Sequence, residues 1–529
     1  MNLLTERIDQ IFAEWDKPDS PGCILAIIKD GEFAYKRGYG RADLERGVPI
    51  GTDSLFDIGS TGKQFTAAVI AILASQGILT IDAPISKPLP EMPPYSEKIS
   101  IRHLLNQTSG LRDYLTLMDL RGMVLENVYS EALLLDLITR QKGLNFTPGS
   151  EYLYSNSGYF LLGVIAQRVT GKHITELIRE LILFPLGMAH TTFNKDFRPI
   201  VRNRALSYDV SKENGGFINA LALSGGFGDG ALLSCVDDLL LWDNNFYGNK
   251  LNNAQPDLLD QLHTTGLLNN GKPITYAFGL IVTSYKGQKV VQHGGGWAGY
   301  RSEMMRFPDQ QLTIICLSNL GSMEPTLLCQ QVADVVLEDV LAPEKAFGND
   351  KKSASGASPA INFSDFCGIY QGKLLTFDLF LKDGNFTFSN GKTDYPLTML
   401  DGKKFQVGAY PVFLTFSGRN NERLVMTGER TSRYRRILPQ RYTPSLLVPF
   451  TGKYYSPELD IHYTITGEDG RLQLKRSSFD EPQSIYPFAP NALRAPIGEL
   501  RLRLSKEGAV KGFTLNAGRV NNIRFKKVK

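Results

Sequence analysis

Apolar residues recur at helical spacing from the start of the chain: Leu3, Leu4, Ile8, Ile11, Phe12 and Trp15, with Glu6, Arg7, Asp9, Glu14 and Asp16 between them. That period predicts an amphipathic helix docked on a core, and its acidic polar face is unlike the basic-then-apolar layout of a signal peptide. Cys23–Ile28 is an uninterrupted apolar run, followed by the turn Asp30-Gly31 and by Glu32–Arg37, which together read as a β-hairpin. A helix follows, with Phe65, Ala68, Val69, Ile72 and Leu73 as its buried stripe and Gly77 as its stop. Residues 98–270 read as mainly helix and loop, including an apolar helix over Tyr159–Val169. Strands return at Tyr276–Tyr285, Lys289–His293, Arg301–Phe307 and Gln311–Ser318, the last two joined by Pro308-Asp309-Gln310. A helix from Glu324 to Leu341 closes this part. Strands at both ends of a largely helical segment predict one antiparallel sheet completed by distant pieces, an α+β fold.

The pattern then breaks. Residues 343–360 are small, polar and without period, which predicts a linker. Beyond it lies a divergent repeat: Phe366-x-Gly368-x-Tyr370 recurs as Phe450-x-Gly452-x-Tyr454, and the turn Asp383-Gly384 recurs as Asp469-Gly470. Each copy ends in a basic-apolar strand, Tyr434–Leu438 and Asn522–Phe525. Short strands with glycine-centred turns predict two small antiparallel β-barrels, with a single continuous β structure as the alternative. The expected division is 1–342, a linker over 343–360, a first barrel over 361–445 and a second over 446–529.

Composition narrows the class. A chain of 529 residues is too long for one core. A net charge of +4 on that length selects no polyanionic partner. The basic clusters Arg430, Arg433, Arg435, Arg436 and Lys526, Lys527, Lys529 read as solvated strand faces, so no nucleic-acid partner is expected. Five cysteines without paired spacing fit buried thiols in a reducing compartment. No apolar run approaches the length that spans a bilayer. A cytoplasmic protein with no membrane partner is expected.

The candidate chemistry begins at Ser60 and Lys63, in Asp57-Ile58-Gly59-Ser60-Thr61-Gly62-Lys63. A hydroxyl and an amine three residues apart share one helix face, so the amine can take the hydroxyl's proton. Alone the pattern is weak, because on the order of one or two Ser-x-x-Lys matches arise by chance in such a chain. Two partners strengthen it. Tyr154-Ser155-Asn156 offers a phenol for proton transfer and an amide for a substrate carbonyl, although in isolation core packing is the stronger reading of the tyrosine and helix capping accounts for the asparagine. His293 is followed by Gly294, Gly295 and Gly296, which let a substrate backbone approach and leave N–H groups for an oxyanion. The other histidines, His103, His173, His190, His263 and His462, lack metal-site spacing, so neither a metal nor a cofactor is expected.

In that order and spacing the three motifs resemble the serine β-lactamase and penicillin-binding-protein superfamily, on its class-C-like branch. The resemblance covers residues 8–340 and includes Leu104–Leu111, Tyr154–Tyr159, Phe184–Met188, Ser224–Leu233 and His293–Tyr300. Two barrels after such a domain resemble the D-aminopeptidase arrangement. The resemblance implies a β-lactamase/transpeptidase-like domain, an antiparallel sheet flanked by helices, followed by two lipocalin-like barrels. It implies Ser60 as the acylated nucleophile, Lys63 as its activating amine and Tyr154 as a proton relay. Asn156 would hold the substrate amide, and the N–H groups of Ser60 and Gly296, beside Gly295, would form the oxyanion hole. His293 would stand where β-lactamases usually carry a lysine.

That departure is informative. The family's Lys-Thr-Gly supplies a cation and a hydroxyl for a substrate carboxylate, and His293-Gly294-Gly295 supplies neither. Amino-acid amides, short peptides read from a free N-terminus, or esters are therefore favoured over penicillins. The expected function is a D-aminopeptidase-like or amidase-like serine hydrolase working through an acyl-enzyme. The alternatives are a carboxylesterase on short acyl esters, a weak β-lactamase, or a non-catalytic penicillin-binding protein. Asp229, in Gly226-Phe227-Gly228-Asp229-Gly230, is a candidate acid for a free amine, with a tight turn as the stronger reading. The barrels have three candidate roles: a loop gating the site, a binding module, or a homodimer surface.

Overall fold

The computed structural model describes residues 2–342 and 362–528, apart from 195–197, 212, 214, 224, 226, 249, 253–257, 373–375, 390–393, 409–411, 429–430, 439–447, 469–470, 477–480 and 490. The predicted linker, Arg430, Lys529 and the turn Asp469-Gly470 lie outside the described residues. The chain forms two compact units. One comprises Met1–Leu111, Val124–Thr139 and Phe146–Glu344, and the other Arg112–Met123, Arg140–Asn145 and Lys345–Lys529.

The first unit is built on a six-stranded antiparallel sheet. Its strands are β1 (Cys23–Lys29), β2 (Glu32–Tyr39), β3 (Ile281–Tyr285), β4 (Gln288–Trp297), β5 (Tyr300–Phe307) and β6 (Leu312–Ser318), ordered β3-β4-β5-β6-β1-β2. The early hairpin thus completes the late strands: Cys23 pairs with Ser318 and Lys29 with Leu312. β1 and β6 are apolar nearly throughout because both of their faces are covered. On one face lie helix α1 (Asn2–Phe12) and the C-terminal helix Pro325–Val336. Ile8 and Phe12 meet Leu328 and Val332 there, over Leu25, Ile27, Met305, Ile314 and Cys316. Burying one such side chain contributes about 1.5–3 kcal/mol.

Two elements are shorter than the pattern predicts. The strand expected over Tyr276–Tyr285 begins only at Ile281, because Gly279 turns the chain at φ +73°. A Cβ there would lie 2.7 Å from the Gln64 backbone, so glycine is required. The last helix stops at Val336 rather than Leu341. The acidic pair Glu338-Asp339 would otherwise sit at a helix C-terminus, where the backbone dipole disfavours negative charge.

Glu303 on β5 is buried beneath the sheet, where it accepts a hydrogen bond from the Thr326 hydroxyl. Burial pushes its carboxyl up from 4.5 to about 7. The folded state therefore holds a proton that the unfolded chain releases, so this group's contribution to stability is full below its unfolded value of 4.5 and declines until the pH passes about 7. Glu303→Gln should match wild type in urea unfolding near the lower value. By about pH 8 the variant should gain on the order of 3 kcal/mol relative to wild type. A difference that does not change with pH would show that Glu303 is ionised in the fold.

The second unit contains two closed eight-stranded antiparallel barrels, with strands spanning Gly368–Ile437 and Gly452–Val528. The repeat has a structural cause. Tyr370 Oη donates to the Phe366 carbonyl at 3.0 Å, and Tyr454 Oη donates to the Phe450 carbonyl at 2.6 Å, so each barrel is pinned at the same place. The basic-apolar strands close the two barrels onto their first strands, Gly368–Gln371 and Gly452–Ser456. Phe366, Phe386, Phe405 and Phe416 fill the first barrel, with ring centroids 4.9–6.1 Å apart. The expected architecture, an α+β domain and two antiparallel barrels, is the one observed.

The segments 112–123 and 140–145 belong to this second unit, so the chain crosses between the units well before the barrels begin. Arg112 is their anchor. Its buried guanidinium donates to Glu458 Oε1 at 2.6 Å, Gln141 Oε1 at 3.0 Å, Asn521 O at 2.9 Å and Asn522 O at 3.1 Å. Burial alone would raise the Glu458 carboxyl, yet the Arg112 charge and the hydrogen bonds it accepts hold it below its usual value.

Candidate active site

Ser60 lies in a 3-10 turn, Gly59–Gly62, and Lys63 opens the helix that follows, Lys63–Ser75. The sequence places both on one helix face; the structure places Ser60 just before the α-helix. In a 3-10 turn, residues three apart eclipse one another, so the serine and the lysine still align. The turn needs Gly59, which has φ +51° and whose added Cβ would lie 2.7 Å from Gly296 N. A Cβ on Gly295 would lie 2.0 Å from the Ile58 carbonyl oxygen. The glycine run of β4 therefore passes directly beside the backbone that carries Ser60. Two hydroxyls hold that approach: Thr61 Oγ1 donates to the His293 carbonyl at 2.9 Å, and Ser302 Oγ donates to the Ile58 carbonyl at 2.8 Å.

Lys63 is fully buried. Its Nζ lies 3.1 Å from Ser60 Oγ, 2.9 Å from Asn156 Oδ1 and 2.5 Å from the Asp229 carbonyl. Of these three partners only the serine can donate as well as accept. An ammonium donates to all three. A neutral amine donates to the two carbonyl oxygens and turns its lone pair to the serine proton. Both protonation states are satisfied without movement, as a general base requires.

Tyr154 precedes the helix Asn156–Thr170, and its ring lies 5.2 Å from Lys63 Nζ. The loop that carries it is held by Gln107, whose Oε1 accepts from Ser155 N at 2.8 Å and whose carbonyl accepts from Leu153 N at 3.0 Å. Asn156 is the first residue of the helix, and its amide oxygen faces Lys63. The Asp229 loop contains a tight turn, with Gly228 at φ +107° and Ala231 at φ +61°. Its backbone carbonyl serves the site by receiving the lysine.

His293 is buried on β4, and burial, reinforced by the Lys63 charge, pushes it down to about 4, so the ring is neutral. Its Nε2 lies 3.0 Å from the hydroxyl of Tyr276. The structure thus brings Ser60, Lys63, Tyr154, Asn156, His293, Gly295 and Gly296 together. Sequence reasoning missed Tyr276, Gln107 and the Asp229 carbonyl. Tyr276 looked like an ordinary strand residue, and Gln107 sits in a run noted only for resemblance. Elsewhere, His190, Cys235 and Asp238 bring ligand atoms within 4.8 Å of one another. The Asp238 carboxylate there already accepts the His190 and Thr191 N–H groups and the Thr191 hydroxyl. Asp238, in the first turn of the helix Val236–Gly248, thus ties the segment His190–Thr191 to that helix.

Comparison with known proteins places the first unit in a family. Residues 8–333 match the Beta-lactamase family model. Penicillin-binding protein 4* of Bacillus subtilis (strain 168) is 32% identical over 328 residues, a match that covers 58% of this chain and 69% of that protein. D-aminopeptidase of Brucella anthropi is 24% identical over 534 residues, covering 96% of this chain and 95% of that one. In fold, the octameric penicillin-binding protein homologue from Pyrococcus abyssi superposes with a TM-score of 0.58 at 24% identity, over 82% of this chain and 100% of the other. The family match spans most of the chain and contains every residue of the serine–lysine–tyrosine–histidine arrangement, so this protein belongs to the beta-lactamase family.

Proposed function

We propose that this serine hydrolase cleaves the amide bond of D-amino-acid amides or short peptides through an acyl-enzyme on Ser60. The observation that carries the reading is the placement of Lys63 Nζ between Ser60 Oγ and two carbonyl acceptors. Lys63 takes the serine proton as Oγ attacks the substrate carbonyl, and the N–H groups of Ser60 and Gly296 receive the oxyanion. Asn156 orients the substrate amide. The departing amine leaves with a proton passed through Tyr154, and a water molecule then splits the ester by the reverse path. Support for the substrate class comes from two sides. The neutral His293 brings no cation for a substrate carboxylate, and the B. anthropi relative that matches nearly the whole chain is a D-aminopeptidase.

We place the protein in a reducing compartment, because its five cysteines are free and four of them are buried. Among the described residues, no helix is long and apolar enough to cross a membrane. The octameric homologue supports a homo-oligomer. The four-part division of the chain, with a linker over 343–360, remains our proposal for its domains.

A panel of p-nitroanilides of D- and L-amino acids, p-nitrophenyl acetate and butyrate, and a chromogenic cephalosporin tests the substrate class. We expect the free-amine D-anilides to be turned over and the cephalosporin to be spared. Cleavage of the esters alone would make the protein a carboxylesterase and overturn the amide reading.

A further inference from the structure

What His293 can do is decided by its two ring nitrogens. Nδ1 lies 2.6 Å from the Gly294 carbonyl oxygen, and Nε2 lies 3.0 Å from Tyr276 Oη. A carbonyl oxygen only accepts, so the single ring proton of the neutral imidazole is on Nδ1. Nε2 is then a bare lone pair, and the Tyr276 hydroxyl donates to it. Tyr276 is fit for that duty, since burial pushes its phenol well above the usual value and keeps the proton on the oxygen.

Tyr276 is itself firmly held. Asn106 Nδ2 donates to its backbone carbonyl at 3.2 Å. Its ring stands edge-on to Tyr154, with centroids 5.9 Å apart at 79°, and edge-on to His293, at 5.7 Å and 83°. The turn at Gly279 that shortens β3 also lies against the first residues of the Lys63 helix, which places Tyr276 beside the site. The ionisable groups facing His293 are Lys63 from its helix, Tyr154 from the loop before Asn156, and Tyr276. Glu303, paired across from Gly294 on β5, bonds instead to Thr326 of the C-terminal helix.

We infer that Tyr276 is a positioning residue of this active site: its hydroxyl holds His293 in one neutral tautomer with both ring nitrogens engaged, and its ring steadies Tyr154. The inference rests on the serine-hydrolase reading of the site. It has a consequence for specificity. A histidine held this way donates no N–H to a substrate, so Tyr276 helps deprive the third motif of a side-chain donor for a carboxylate.

The test combines imidazole ¹⁵N spectra with kinetics of Tyr276→Phe on a D-amino-acid p-nitroanilide. Wild type should show the Nδ1–H tautomer of His293 between about pH 5 and 8. Tyr276→Phe leaves Nε2 without its donor while burial and the Lys63 charge remain, so His293 should stay neutral but no longer hold the single Nδ1–H tautomer. Its kcat should fall about tenfold, with KM changed less than about twofold. In a His293→Gln background the same change should cost less than about twofold, because the tyrosine acts through the histidine. An Nε2–H tautomer in wild type would overturn the inference whatever the variant does. So would an unaltered tautomer in the variant, or equal losses in both backgrounds, which would reduce Tyr276 to packing. Covalent labelling of Ser60 by a fluorophosphonate separates the two levels: wild type that resists the label overturns the hydrolase reading and this inference with it.

Discussion

Ser60→Ala should abolish turnover of D-amino-acid p-nitroanilides, lowering kcat on the order of 10⁵-fold, while leaving the fold intact. The side chain is small and its turn is built by Gly59 and by the Thr61 and Ser302 hydroxyls, none of which depends on Oγ. Lys63→Met should be nearly as damaging, because serine and lysine work as one unit. The double variant should then lose little more than either single one, since groups that act together are strongly non-additive. Kinetics of the three proteins check this. If Lys63→Met retained more than about a tenth of wild-type kcat, another group would have to be the base.

Replacing one member of the Arg112–Glu458 pair should have the largest effect on stability. The two side chains are each only 3% exposed and meet at 2.6 Å. Removing one partner strands a charge away from water, which costs about 3–5 kcal/mol, whereas an exposed pair is worth less than about 1 kcal/mol. Glu458→Gln leaves the Arg112 charge buried without its counter-ion, and Arg112→Met does the reverse. Hydrogen exchange should report the loss across Arg112–Met123, Arg140–Asn145 and the second barrel together, because these segments form one unit. Protection unchanged in both variants would mean that the pair is not essential to that unit.

The same pair bears on any attempt to learn what the barrels do by removing them. Deleting residues 361–529 takes away Glu458 and the Asn521 and Asn522 carbonyls, and leaves the Arg112 guanidinium without those acceptors. A change in substrate range after such a truncation would mix lost selectivity with lost structure. Point substitutions on barrel loops are the cleaner probe.

The site was legible in sequence wherever chemistry demanded a residue type at a fixed spacing. Ser60 and Lys63 are three apart because only one turn of helix joins them, and Gly295 follows His293 because an added Cβ would lie 2.0 Å from the Ile58 carbonyl oxygen. The hairpin Cys23–Tyr39 and its distant partner Leu312–Ser318 were legible from unbroken apolar runs. Groups that act through backbone atoms or through three-dimensional neighbours were not. The Asp229 carbonyl carries no side-chain signature, and Tyr276 meets His293 from the segment before the Gly279 turn, where the pattern predicts strand. Arg112 belongs to none of the motifs, and its partners Glu458, Asn521 and Asn522 lie more than 300 residues away.

The central claim is an ester bond between Ser60 and the acyl part of the substrate. The direct measurement is to quench the enzyme in acid during turnover of a D-alanine p-nitroanilide and map its peptides by mass spectrometry. One D-alanyl group should appear on the peptide Gly47–Lys63, localised by fragmentation to Ser60 and absent from Ser60→Ala. A D-alanyl group on another residue, or continued hydrolysis by Ser60→Ala, would contradict it.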